Sequence, residues 1–171
     1  MTSSRMPALS EAHIPPDLAE QIPSEETTPR QKIEHLQSVM AAMPQVETPT
    51  HHHFADGVYV REMHCSAGTL IIGKVHKREH IFMLISGEMT LTGDGHAPRQ
   101  VKAPFIVVSQ PGVKRAGFAH TNCIVLNVHR TDSRDLDAIE AELVEPDEAA
   151  LFDARNQIKP EKLQWHSCPQ Q

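Results

Sequence analysis

Between residues 58 and 130 the chain repeats short apolar runs cut by glycine and proline. Val58, Val60 and Glu62 alternate with Tyr59, Arg61 and Met63, the period-two pattern of a half-buried strand. The runs at 69–72 and 81–85 are continuously apolar and bounded by glycines, so they read as buried strands. Further strands are expected near 88–92, 98–102, 105–109, 113–119 and 123–130, with a turn at Gly93-Asp94-Gly95. Short strands with frequent glycine and proline turns predict an antiparallel sandwich or small barrel. Helical signals flank this region. Thr28 is placed to N-cap, Pro29 suits a first turn, and Gln31 completes a T-x-x-Q capping box. Ile33, Leu36, Val39, Met40 and Met43 then share one face, which predicts a helix docked on the barrel or on a neighbouring subunit. Ser133 is expected to cap a second helix carrying Leu136, Ile139, Ala141 and Leu143, and a short helix is expected over 148–156. The resulting division is an extended arm (1–27), a helix and linker (28–50), a barrel (51–131), C-terminal helices (132–158) and a tail (159–171). The arm holds Pro7, Pro15, Pro16 and Pro23 with no sustained period, too little apolar surface to offset its ordering entropy. Trp165 in the polar tail reads as a docking anchor.

The chemistry concentrates in GTLIIGKVHKREHIFMLISG, residues 68–87. A polar, histidine-bearing insert between two apolar runs is not ordinary core. On a straight strand His76 and His80 would lie roughly 13 Å apart, too far to share an ion. A corner at Lys77-Arg78-Glu79 would bring the two imidazoles to one point. His129 ends the strand CIVLNVH on the same face as Val125 and Asn127 and is the first choice of third ligand. His120, in a turn-like AHTN context, and Glu79 are the alternatives. Such a set suits one divalent transition metal, Zn, Fe, Ni or Mn. The alternative is that His76 and His80 satisfy each other or a carboxylate with no metal. His51-His52-His53 reads as a solvated loop, since three adjacent side chains on a strand alternate faces. His53 would reach a site only if a strand begins there.

Composition narrows the classes. The 171 residues suit one domain plus extensions, and a net charge of −6 disfavours nucleic acid as the main partner. Cys65, Cys123 and Cys168 lack CxxC spacing and read as free thiols in a reducing compartment. No apolar signal core and no membrane-length run is visible, so a soluble protein made in a cytoplasm is expected, with no membrane partner. Neither G-x-S-x-G nor a P-loop occurs.

The spacing Gly73-x-x-His76-x-x-x-His80-x6-Gly87, followed by Pro104-x6-Pro111-Gly112, resembles the two motifs of the cupins. The resemblance covers about 54–130. It implies a mainly-β double-stranded β-helix barrel of jelly-roll type, with metal held by histidines and a glutamate of the first motif and a histidine of the second. Lys74 stands where the first histidine belongs, His76 matches the second, and His80 replaces the glutamate. Lys114-Arg115 falls where the second motif's histidine belongs. These cations favour an anionic substrate, or ion pairs with Glu79 or Glu62. GVYVREM, AGTLIIGKVHKREH and PGVKRAGFA are also similar to short cupin-like proteins encoded by tailed bacteriophages. That resemblance implies a virion-associated structural or assembly protein, made in the host cytoplasm, whose arm and tail contact further copies of itself and other virion proteins. Any metal would then be vestigial or structural, and this is the preferred expectation. The alternative is a metal-dependent enzyme of dioxygenase, isomerase or lyase type acting on a small anion. In it His76, His80 and His129 are ligands, Glu79 or Tyr59 carries a proton, and Arg61 or Arg115 clamps the anion. A ligand-binding module without chemistry is the third.

Overall fold

The computed structural model describes residues 28–93 and 96–165. Strands run in the order β1 (Thr50–Ala55), β2 (Val58–Cys65), β3 (Leu70–Ile72), β4 (His80–Ser86), β5 (Glu88–Gly93), β6 (His96–Lys102), β7 (Phe105–Ser109), β8 (Ala116–Ala119) and β9 (Cys123–Arg130). Helix α1 (Pro29–Ala41) precedes them, and α2 (Leu136–Leu143) and a 3-10 helix (Pro160–Trp165) follow. The strands form a five-stranded sheet, β1-β2-β9-β4-β7, and a four-stranded sheet, β3-β8-β5-β6. Every pairing in them is antiparallel. This is the small mainly-β barrel that the strand pattern predicts.

Alternation along the strands puts the core between the sheets. Met63, Cys65, Phe82, Leu84, Val125 and, from the second sheet, Met89 are buried together. Leu84 is wholly inaccessible. The opposite face of the five-stranded sheet stays open: Ile81, Ile85, Ile106 and Val108 are exposed. Gly87 makes the turn between β4 and β5 at φ +90°, where a Cβ would lie 2.3 Å from the Asn122 carbonyl oxygen. Only glycine fits that position.

The capping box forms as expected: the Thr28 hydroxyl accepts from the Gln31 amide, and the Gln31 side chain accepts from the Thr28 amide. The helix face behind it is only partly covered. Ile33 is buried, while Val39 and Met43 remain exposed. Four expectations need correction. His51, His52 and His53 lie on strand β1, not in a loop, because β1 pairs with β2 along its whole length. The strand expected at 113–119 is shortened to β8, which starts at Ala116. Asp135, not Ser133, caps α2, accepting from the Ala138 amide at 2.8 Å. Residues 148–156 do not form a helix. Asp147 and Asp153 carboxylates accept local amides at Ala149, Arg155 and Gln157, and these side-chain turns outcompete helix in so short a stretch. The arm 1–27, the tip Asp94-Gly95, the Trp165 side chain and residues 166–171 lie outside the described residues. Among the described residues, no helix is long and apolar enough to cross a membrane.

Two stitches bind the C-terminal segment to the barrel. Ile139 and Leu143 of α2 pack with Tyr59, joined by Phe54, Leu136 and Val144. Lys74 donates to Glu140 at 2.6 Å and to the Asp153 carbonyl at 3.0 Å. Lys74 is therefore committed to a structural pair with α2.

Candidate metal centre

The corner expected between the two apolar runs is present, and backbone bonds fix it on three sides. Gly73 donates to the Arg115 carbonyl, Lys77 to the Leu143 carbonyl, and Gly112 to the His76 carbonyl, all at 2.8–2.9 Å. His76 also bridges Val144 at the end of α2. The chain bends at Lys77-Arg78 and re-enters the sheet at His80, the first residue of β4. His129, on the neighbouring β9, faces the same interior. The three imidazoles meet with ring centroids 4.1 Å apart for His76–His80 and 4.7 Å for each of the other pairs. One ring nitrogen from each lies within 4.8 Å of the others.

Electrostatics favour the neutral, ligand-competent form of all three. Desolvation comes first, with the neighbouring imidazoles next, and together they hold His76 down at about 2. Burial lowers His129 to about 4 and also lowers His80. His80 is oriented by the Arg78 carbonyl, 3.5 Å from its Nδ1, and by the Asn127 side chain. His76 Nδ1 is buried with no hydrogen-bond partner among the described residues. An unsatisfied buried nitrogen is costly, and a cation between the rings would satisfy it. Three neutral nitrogens with room for further ligands fit a divalent transition metal.

The cluster opens on a cavity of about 560 Å³ between the sheets, the end of α1 and the segment 147–156. Tyr59, Arg61, Arg115, Asn127 and Asn156 line it, with apolar walls from Phe82 and Leu143 among others. The Tyr59 ring stacks on His129 at 6.1 Å, and its hydroxyl is hydrogen-bonded to His52 Nδ1 at 2.8 Å. Burial raises the Tyr59 pKa, which keeps the phenol protonated. Arg61 Nη2 donates to Asn156 Oδ1 at 2.9 Å, and no carboxylate among the described residues pairs with it. Its pKa is nevertheless lowered by desolvation. Arg115 lines the same cavity and donates to Ser109 Oγ at 2.7 Å.

The remaining residues singled out in the sequence lie elsewhere. Glu79 accepts from Gln110 on the surface, so it is out of reach as ligand or proton carrier. His120 bonds the Thr90 hydroxyl at 2.7 Å on the exterior. Lys114 pairs with Asp147 at 2.9 Å, with its side chain 3% exposed, rather than with Glu79 or Glu62. Asn156 was not foreseen. It belongs to a turn at φ +63°, and neither periodicity nor motif spacing marks it.

No family model matches the chain, and no curated protein matches it. Among solved structures it is similar to a double-stranded β-helix protein from Klebsiella pneumoniae, at 18% identity and a TM-score of 0.45, covering 57% of this chain and 90% of that one. It is also similar to an RmlC-like cupin family protein from Methanocaldococcus jannaschii, at 18% identity and a TM-score of 0.43, covering 53% and 85%. A cupin superfamily protein from Desulfitobacterium hafniense is similar at 12% identity and a TM-score of 0.43, covering 66% and 96%. The likeness is one of fold alone.

Proposed function

We propose that this protein holds one divalent transition-metal ion on His76, His80 and His129 and acts on a small anionic molecule in the cavity beside it. The observation that carries this reading is the convergence of three desolvated imidazoles, one ring nitrogen of each within 4.8 Å of the others, together with a buried His76 Nδ1 that has no partner among the described residues. A bound ion of this class supplies Lewis acidity and open coordination positions. The chain supplies the rest. Arg61, braced by Asn156, keeps further guanidinium N–H groups for a carboxylate or similar anion. Three neutral ligands leave the ion's charge uncompensated, so the site favours an anion twice over. Tyr59, protonated and stacked on His129, is the proton donor proposed for the site. The dry walls strengthen each of these interactions.

The test is metal content of untagged protein beside the His76→Ala/His80→Ala variant, purified in parallel. Loss of about one bound ion per chain in the interior variant relative to the wild type supports the reading and justifies a screen of small carboxylates. Equal metal in both, or none in either after exposure to Zn, Fe, Ni and Mn, overturns it.

A second reading, a self-associating structural protein, is favoured by a different observation. Cross-strand neighbours Ile81 and Val108, and Met83 and Ile106, form an apolar stripe on the outer face, with Ile106 60% exposed. A second copy of this chain is the proposed occupant, since closed homo-oligomers are the commonest way to cover such a face. Dimerisation in sedimentation that Ile106→Asp abolishes supports it; a monomeric wild type at high concentration overturns it. Association with a virion and its other proteins is supported only by the sequence resemblance to phage-encoded chains.

A further inference from the structure

A second histidine cluster lies on strands β1 and β2 of the same sheet, on its outer face. β1 and β2 pair in a register that sets His51 directly opposite Glu62. His64, two residues beyond Glu62, projects on the same side, and so does His53, two residues beyond His51. His51, Glu62 and His64 each offer a ligand atom, and these atoms all lie within 4.8 Å of one another. The His51 and His64 rings meet edge to face at 5.4 Å. Glu62 is the hub: His64 Nε2 bonds one carboxylate oxygen at 2.5 Å and His53 Nε2 the other at 2.8 Å.

We propose that His51, Glu62 and His64 form a separate, surface-open binding site for a borderline divalent cation such as Zn²⁺ or Cu²⁺. Two imidazoles and one carboxylate are the donor types such ions take, with the remaining positions left to solvent. The antiparallel ladder preorganises the set, because directly opposed side chains and their same-face neighbours are held a few ångströms apart by the register itself. His53, on the carboxylate oxygen that His64 does not use, fixes the orientation of Glu62 in the manner of an outer-shell partner. β1 is the edge strand of its sheet, so the site is approached freely from outside. Unlike the interior trio, it carries a carboxylate and needs no cavity. It stands whether or not the interior cluster holds metal.

The experiment titrates full-length, untagged protein with Zn²⁺ by calorimetry and with Cu²⁺ under electron paramagnetic resonance. The wild type is expected to lose one bound ion per chain in the His51→Ala/His64→Ala variant, with the affinity at that site falling more than about 100-fold, beyond the effect of an outer-shell loss. The Cu²⁺ spectrum should lose its two-imidazole nitrogen splitting at the same time. Glu62→Gln preserves shape and side-chain hydrogen bonding, and His53→Ala leaves all three ligands; each is expected to weaken binding about 10-fold or more. A wild type whose stoichiometry, affinity and Cu²⁺ spectrum are unchanged by His51→Ala/His64→Ala overturns the proposal. So does Glu62→Gln binding as tightly as wild type. If the interior cluster holds no metal, wild type binds a single ion and the outer variant none, a pattern distinct from failure of the outer site.

Discussion

The two faces of the β1–β2 ribbon carry histidines in opposite circumstances. Inward, His52 and Tyr59 share a hydrogen bond beside the buried trio His76, His80 and His129, and no carboxylate among the described residues pairs with that trio. Outward, His51, His53 and His64 gather around Glu62 in contact with water. One residue of register separates His52 from His51 and His53, because successive side chains on a strand point to opposite faces. The difference shows what burial does to an imidazole. Desolvation inside disfavours the charged form and leaves a neutral nitrogen donor; outside, the rings are tied to a carboxylate in contact with solvent.

The largest expected effect tests whether the interior tolerates charge at all. Lys114–Asp147 is the most deeply buried ion pair among the described residues, and Lys114→Ala should cost about 3 kcal/mol in denaturant unfolding, by leaving a part-buried Asp147 with only Gln37 and the Ala149 amide. A Lys114→Met/Asp147→Leu double variant should recover only part of that loss, because Asp147 also accepts from Gln37 and the Ala149 amide. If Lys114→Ala is neutral, the interior is wetter than its burial implies.

Next in size is the pH dependence of the metal-free protein. His76 and His129 fall from 6.5 when unfolded to about 2 and about 4 when folded. Between those values the unfolded chain binds more protons, so stability is full above about pH 6.5 and declines as pH drops through the window. The slope is about 1.4 kcal/mol per pH unit for each imidazole kept neutral. Urea midpoints at pH 7 and pH 5 measure it, and His76→Gln should flatten the profile. A flat wild-type profile would mean that these rings are hydrated.

Smaller again is Tyr59→Phe, which removes the bond to His52 but leaves the ring on His129. A loss of about 1 kcal/mol is expected. Smallest is Glu62→Gln without metal: its exposed hydrogen bonds are worth less than about 1 kcal/mol, so thermal unfolding should scarcely change. With Zn²⁺ present, the same substitution should shrink the part of the metal-induced rise in melting temperature that the outer site contributes.

Much of the barrel was legible because its cues are local. Period-two alternation at 58–63 and the continuous run at 81–85 correspond to β2 and β4, and the T-x-x-Q box marks the start of α1. The corner at Lys77-Arg78 could be inferred because a polar insert between two buried runs must bend, and His129 could be paired with it through strand parity. What escaped was set by partners far along the chain. The triple histidine at 51–53 has loop-like composition, and only pairing to β2 makes it a strand. Helical composition at 148–156 yields to turns anchored by Asp147 and Asp153. Lys114 gave no sign of Asp147 as its partner, because the contact spans 33 positions.

The bonds that close the cavity have a consequence for the order in which the protein is made. Gln37 is tied to Asp147 across 110 positions and Thr48 to Asn156 across 108. A chain emerging N-terminus first completes all nine strands described here before the segment that seals them. Until α2 and residues 147–156 arrive, the three imidazoles lack the wall that those segments add to the cavity. The nascent barrel thus leaves its three inner imidazoles accessible until a later stretch of the chain covers them.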